Sequence, residues 1–357
     1  MKQLKYLMLS SIAFLAMTVT GCNGGNNNDD GPAKREGPIV FVLSGQSNME
    51  GQTDVGSNAS YLDAAFQSLG ITDGDVCKTG IESVQTSFYG NGYGELDRNN
   101  YNRSDVHASN TTDKIKGAFF PTKIGMGHSD SQMGPELGCA YALKDQATAE
   151  KPIYFVKMAS SGSGFAQSGS NAEGKNWEVK TADGEVVEHN LFSDFLKPFL
   201  KNNLDLIEEQ TGEKPVIKGW LWHQGESDGG EKAKRDAYAR RLADLIDAFR
   251  TEFADYSTYE GDAGKSIAFI DGMTYEGGTM LADAAGAKEL NEIKLAAADA
   301  NDKRYIVDTY ANEEHIDANL LTVSGNGATQ GVHYNTKDSF RLGRAYGKVI
   351  LDNNLLD

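Results

Sequence analysis

The chain has 357 residues, with 51 Asp and Glu against 34 Lys and Arg and a formal net charge of −17. A length of this order can bury a large core, in one big domain or two small ones. No basic stripe interrupts the acidic balance, which excludes recognition of nucleic-acid phosphates.

The chain opens on Met1-Lys2-Gln3-Leu4-Lys5, continues through an apolar stretch from Tyr6 to Val19 and reaches Gly21-Cys22. A basic start and an apolar run too short for a comfortable membrane span predict a signal peptide over residues 1–21. Its ending resembles the bacterial lipoprotein box, with Cys22 as the lipidated residue; the alternative is an ordinary secretory signal with a coincident cysteine. On the lipoprotein reading the protein is exported to the bacterial cell envelope and touches the membrane only through its N-terminal lipid. Residues 22–37, rich in Gly, Asn and Asp, predict a flexible tether. Export permits a disulfide between Cys77 and Cys139, but sequence alone does not place them within bonding distance. The Asn-x-Ser/Thr triplets at Asn58, Asn102 and Asn110 are read as chance.

The first structural element expected is Ile39–Leu43, an apolar, largely β-branched run that stops at Ser44-Gly45-Gln46, with Ser47 next. This is the pattern of a buried strand ending in a tight turn that opens a helix. Residues 52–133 follow, rich in Gly, Asn, Ser and Tyr and without sustained periodicity. They predict an elaborated insertion that carries short strands and covers the rim of a site. Pro135–Gln146 is expected to be helical and Pro152–Met158 a strand. A helix around Phe192–Glu209 follows, with Pro198 implying a kink or a shifted start. Val216–Trp222 reads as a strand. In the helix expected over Glu231–Phe253, Tyr238, Leu242, Leu245, Ile246, Phe249 and Phe253 form one apolar stripe, a core face. Ser266–Asp271 and Arg304–Asp308 are the last expected strands, Ala282–Ala300 and Asp338–Leu351 the last helices. Alternation of this kind predicts a mainly parallel sheet with helices on both faces, in one domain over residues 38–357.

Several of these strands end in residues that could carry chemistry. Ser47 follows the first strand as a possible nucleophile, its bland alternative being a helix cap. Ser161-Gly162-Ser163-Gly164 follows the second, and Gly162, or else Gly164, could present a backbone N–H to a substrate. His223-Gln224-Gly225-Glu226-Ser227-Asp228 ends the third. It supplies an amide donor in Gln224, a carboxylate in Glu226, and in Asp228 a group suited to fixing the loop. His333, in Gly331-Val332-His333-Tyr334-Asn335, precedes the last helix as the possible base. His107, His128, His189 and His315 lack comparable surroundings, and His223 reads as a structural or rim residue. Gly90-Asn91-Gly92-Tyr93-Gly94 resembles a nucleotide loop only superficially, and no ligand pattern for a metal or cofactor is present.

These motifs, in this order, resemble the SGNH hydrolase superfamily, and more narrowly its carbohydrate acetylesterase branch: carbohydrate esterase family six and the sialate O-acetylesterase domain. Gly45-Gln46-Ser47-Asn48-Met49, His223–Asp228, Ser161-Gly162-Ser163 and Val332-His333-Tyr334 carry the resemblance. It implies a three-layer α/β/α sandwich with a doubly wound, flavodoxin-like sheet, and hydrolysis of acetyl esters of carbohydrates, with no cofactor. It further implies Ser47 as nucleophile, His333 as base, and an oxyanion hole built from Ser47, Gly162 and Gln224. Many relatives place an aspartate three residues before the histidine; here that position is Gln330, so the acid is assigned to Glu226. An acetylated xylan-type polysaccharide is the expected substrate, acetylated sialic acid the alternative, and an inactive glycan-binding lipoprotein a remoter one. Trp177 would either stack on a sugar ring or pack in the core.

Overall fold

The computed structural model describes residues 32–89, 117–166, 176–310 and 321–357. The signal peptide, Cys22, most of the tether, Gly90–Gly94, Asn102, His107, Asn110 and His315 lie outside the described residues. Pro32–Asp357 forms one compact unit.

Nine strands are described: β1 (Ile39–Gly45), β2 (Thr53–Asp54), β3 (Ile81–Phe88), β4 (Phe120–Thr122), β5 (Gln132–Met133), β6 (Ile153–Ala159), β7 (Val216–His223), β8 (Ala268–Gly272) and β9 (Arg304–Val307). The helices are α1 (Ser47–Glu50), α2 (Ser60–Ser68), α3 (Val76–Thr79), α4 (Pro135–Leu143), α5 (Lys197–Thr211), α6 (Glu226–Gly229), α7 (Lys232–Glu252), α8 (Ala284–Ala297) and α9 (Thr336–Asp352). Seven strands make one sheet in the order β4-β3-β6-β1-β7-β8-β9, parallel throughout except for β4, and β2 pairs with β5 alone.

β1 lies at the centre, and its alternating side chains serve two cores, as a strand period of two requires. Phe41 and Leu43 pack on one face with Leu137, Cys139 and Leu143 of α4 and Phe340 and Leu342 of α9. Val40 and Val42 face the other way, toward Phe199 and Leu204 of α5, the α7 stripe and Leu290 of α8. The stripe itself is as expected, and Trp220 of β7 stacks on Phe249 with ring centroids 4.3 Å apart. Helices on both faces of a mostly parallel sheet make this a three-layer α/β/α fold. Pro198 stands in the first turn of α5, where its missing N–H costs nothing, and a single π turn over Phe192–Leu196 precedes it.

Two expectations change. The segment read as a rim insertion contributes β3 and β4 to the main sheet, with β3 pairing in parallel with β6. Cys77 and Cys139 are both buried free thiols, and burial pushes the Cys77 thiol up to about 12, far from the thiolate needed for exchange.

Candidate active site

Register brings three strand ends together. Gly45 of β1 lies beside Ala159 of β6 on one side and His223 of β7 on the other. The residues that follow each strand therefore emerge side by side at the carboxyl edge, where open α/β folds place their ligands. Gly45 permits the close approach. Its φ is +145°, and a Cβ there would lie 2.0 Å from the His223 carbonyl oxygen. The turn is tied to both neighbours, with Gln46 N–H donating to His223 O at 3.0 Å and Ser160 N–H to Gly45 O at 3.0 Å.

Ser47 is the first residue of α1, so its own N–H and that of Asn48 have no intrahelical acceptor. Asn48 joins it to the histidine loop. Its amide donates to Val332 O at 3.2 Å and its carbonyl oxygen accepts from Tyr334 N–H at 3.3 Å. The neighbours of His333 on both sides are thus bonded to the residue after Ser47. Thr53 Oγ1 adds a bond to Tyr334 O at 2.9 Å. His333 is buried, and its Nδ1 lies 2.8 Å from Thr329 Oγ1.

Burial holds His333 down to about 4; the negative charge of Glu50 and the Thr329 carbonyl work against that, while His128 adds to it. Glu50, at the end of α1, accepts from the Gln52 amide at 3.0 Å and lies 3.6 Å from His128 Nδ1. Neither Glu50 nor His128 was marked by the sequence motifs, because nothing in their spacing points at His333. Lys157 anchors this end of the helix. Its Nζ is 2.9 Å from Glu136 and donates to Glu50 O at 3.1 Å and Met126 O at 2.7 Å.

Glu226, expected beside His333, is placed elsewhere. Its Oε1 accepts from Asn48 Nδ2 at 2.6 Å and lies 3.9 Å from His223 Nε2. Burial raises its pKa, and the Asn48 bond lowers it in part. Its hydrogen bond to Asn48 links it to the histidine loop. Gln224 also differs from expectation. Its buried amide nitrogen is engaged by Asp228 Oδ2 at 2.6 Å, Gln46 Oε1 at 3.3 Å and Ser163 O at 3.4 Å, instead of facing outward. Gln46 fastens the turn before Ser47 to this loop, its Oε1 also accepting from Ser227 N–H at 3.3 Å. Asp228 fixes the loop after β6 as well, accepting from Phe165 N–H at 3.1 Å.

Gly162 is exposed in the turn after β6 with φ +67°, and nothing would crowd a Cβ there. His223 is fully buried between the Tyr334 and Tyr346 hydroxyls, at 2.8 and 3.2 Å, and burial drives its pKa well below the ordinary range. It is a structural residue. Trp177 is fully buried and edge-on to Trp222, with its indole N–H donating to Ser163 Oγ at 2.9 Å, so it packs and does not stack on ligand.

A three-layer α/β/α enzyme with its reactive side chains gathered at the carboxyl ends of the central strands is the class this arrangement defines. The chain belongs to the carbohydrate esterase family described as sialic acid-specific acetylesterase, whose family model matches residues 38–257. It is therefore a carbohydrate esterase, a carboxylic ester hydrolase. Among solved structures it is similar to a protein from Arabidopsis thaliana, at 18% identity and a TM-score of 0.51, over 88% of this chain and 98% of that one. It is also similar to NanS, at 12% identity and a TM-score of 0.50, over 88% and 97% of the two chains. At such identities these likenesses speak for the fold. No curated protein sequence matches the chain.

Proposed function

We propose that the protein removes O-acetyl groups from carbohydrates through an acetyl-enzyme on Ser47. The observation that carries this is the Asn48 bridge, which fastens both neighbours of His333 to the residue following Ser47. His333 takes the Ser47 proton as the hydroxyl attacks the acetyl carbonyl, then returns it to the departing sugar oxygen; water repeats the cycle on the acetyl-enzyme. The oxyanion is received by the N–H groups of Ser47 and Gly162, each contributing about 3 kcal/mol in comparable sites. Gln224 supports this from behind, by holding the turns that carry both donors.

Ser47→Ala is expected to lower kcat on a chromogenic acetyl ester by at least about 1,000-fold, with the fold unchanged by circular dichroism. Turnover within about 10-fold of wild type would refute the serine mechanism. For the sugar, the family's description supports O-acetylated sialic acid over acetylated xylan. Acetate release compared between the two substrates decides, and a preference for xylan returns the reading to the polysaccharide. We further propose the lipid-anchored, envelope location read from Gly21-Cys22; incorporation of labelled palmitate that is lost in Cys22→Ala tests it.

A further inference from the structure

The histidine of a serine esterase needs a group that fixes its tautomer, so that the nitrogen facing the serine carries a lone pair. Among the described residues, two carboxylates stand nearby, and no hydrogen bond joins either to the ring. Glu226 bonds Asn48, and the charge of Glu50 acts on His333. Position 330, three residues ahead, is an exposed glutamine in the left-handed region with φ +57°, followed by Gly331 at +63°. Two successive left-handed residues reverse the chain, and His333 N–H closes the turn on Thr329 O at 3.2 Å. The reversal turns residue 330 outward and brings residue 329 against the ring.

Thr329 Oγ1 makes two contacts, to Gln52 O at 2.8 Å and to His333 Nδ1 at 2.8 Å. A hydroxyl has one proton to donate, and a carbonyl oxygen can only accept. The proton must therefore go to Gln52, leaving a lone pair toward the ring, so Nδ1 carries the hydrogen and Nε2 the lone pair.

We propose that Thr329, with its hydroxyl locked by the Gln52 carbonyl, is the positioning residue that takes the place of the orienting carboxylate and sets His333 as an Nδ1–H, Nε2-basic imidazole. This rests on the serine mechanism proposed above. Gln52 couples the device to the rest of the site: its side chain donates to Glu50 and to the Ser161 hydroxyl, next to Gly162. One backbone position therefore registers the base, the neighbouring carboxylate and the oxyanion turn together. Among the described residues no carboxylate is hydrogen-bonded to the ring, and the nearby charge of Glu50 supplies part of the stabilisation of its protonated form.

The first arm reads the ring in the wild-type protein. Nitrogen-15 NMR of histidine-labelled wild-type protein at pH 7, with His333→Gln for assignment, is expected to show His333 protonated at Nδ1. Protonation at Nε2 would overturn the proposal. In the second arm, Thr329→Val should lower kcat by about 100-fold with KM within about 3-fold, while Thr329→Ser, which keeps the hydroxyl, stays within about 5-fold of wild type. A valine variant with wild-type kcat also overturns it. Fluorophosphonate labelling separates this from failure of the underlying reading. An unlabelled wild type with an active Ser47→Ala variant sinks the serine mechanism and this proposal together. A labelled wild type with an Nε2–H His333 sinks this proposal alone.

Discussion

At the scale of single residues, the distinction that matters is between groups that touch the reacting atoms and groups that hold them in place. Glu226 is of the second kind. Its Oε1 fixes Asn48, its Oε2 has no hydrogen-bond partner, and burial raises its pKa. A glutamine would keep the acceptor facing Asn48 and remove the need to ionise in a buried place. Glu226→Gln is therefore expected to retain kcat within about 5-fold, whereas Glu226→Ala, which leaves one of the two Asn48 amide N–H groups without its acceptor, should lose about 10-fold or more. Equal losses in the two variants would mean that the charge of Glu226 itself is needed. Ser47 and His333, the proposed nucleophile and base, stand out in the sequence because strand ends and a motif frame them. Thr329 was invisible there, since its role depends on the left-handed backbone of Gln330 and Gly331, and a glutamine does not advertise that conformation. The roles expected of Gln224 and Glu226 were misplaced for a related reason: motif spacing gives proximity, but not which way an amide or carboxylate points.

At the scale of elements, most strands and helices were legible because burial writes a simple period into them. Residues 52–133, expected only as an insertion with short strands, also hold α2 and α3, and their longest strand, β3, reads Ile81-Glu82-Ser83-Val84-Gln85-Thr86-Ser87-Phe88, too polar for an interior strand. Two of its hydroxyls find partners: Thr86 Oγ1 lies 2.8 Å from Thr122 Oγ1, and Ser83 Oγ donates to Lys144 O at 2.6 Å. Hydrophobicity is a poor guide where buried hydroxyls find partners. The same kind of buried polar contact ties elements together at the site. Lys157 on β6 is 3% exposed and pairs with fully buried Glu136 on α4, while bonding the carbonyl at the end of α1. Removing one partner strands the other charge away from water. Lys157→Met should therefore destabilise the fold by about 3–5 kcal/mol in urea unfolding, and adding Glu136→Gln should recover more than half of that loss. If the double variant is no more stable than the single one, the pair is not what joins these elements.

At the scale of the whole molecule, the buried ionisable groups pull stability in opposite directions as the pH falls. His333, held down to about 4, and His223, lower than the ordinary range, are both neutral in the folded state. An unfolded histidine takes up its proton near 6.5, so the stability these two contribute is complete above that pH and is lost as pH falls toward 4. Asp228 and Asp271 are raised by burial to about 6 from an ordinary 3.8. The folded state binds their protons first, so they destabilise above pH 6 and recover stability as pH falls from 6 to 3.8. Thermal unfolding at pH 7 and at pH 4.5 separates the two. His333→Gln should lose less Tm than wild type over this interval, and Asp228→Asn, which removes a term that gains, should lose more. Activity reads the same histidine from the other side. On the proposed serine mechanism only neutral His333 can accept the Ser47 proton, so kcat/KM should fall on acidification with a midpoint near 4, measured over times short enough to precede unfolding. The two measurements constrain each other, since one depressed pKa must explain both. An activity limb near 6.5, or His333→Gln and wild type losing Tm in parallel, would show that the ring is open to solvent and that the packing around Thr329 and Asn48 does not isolate it.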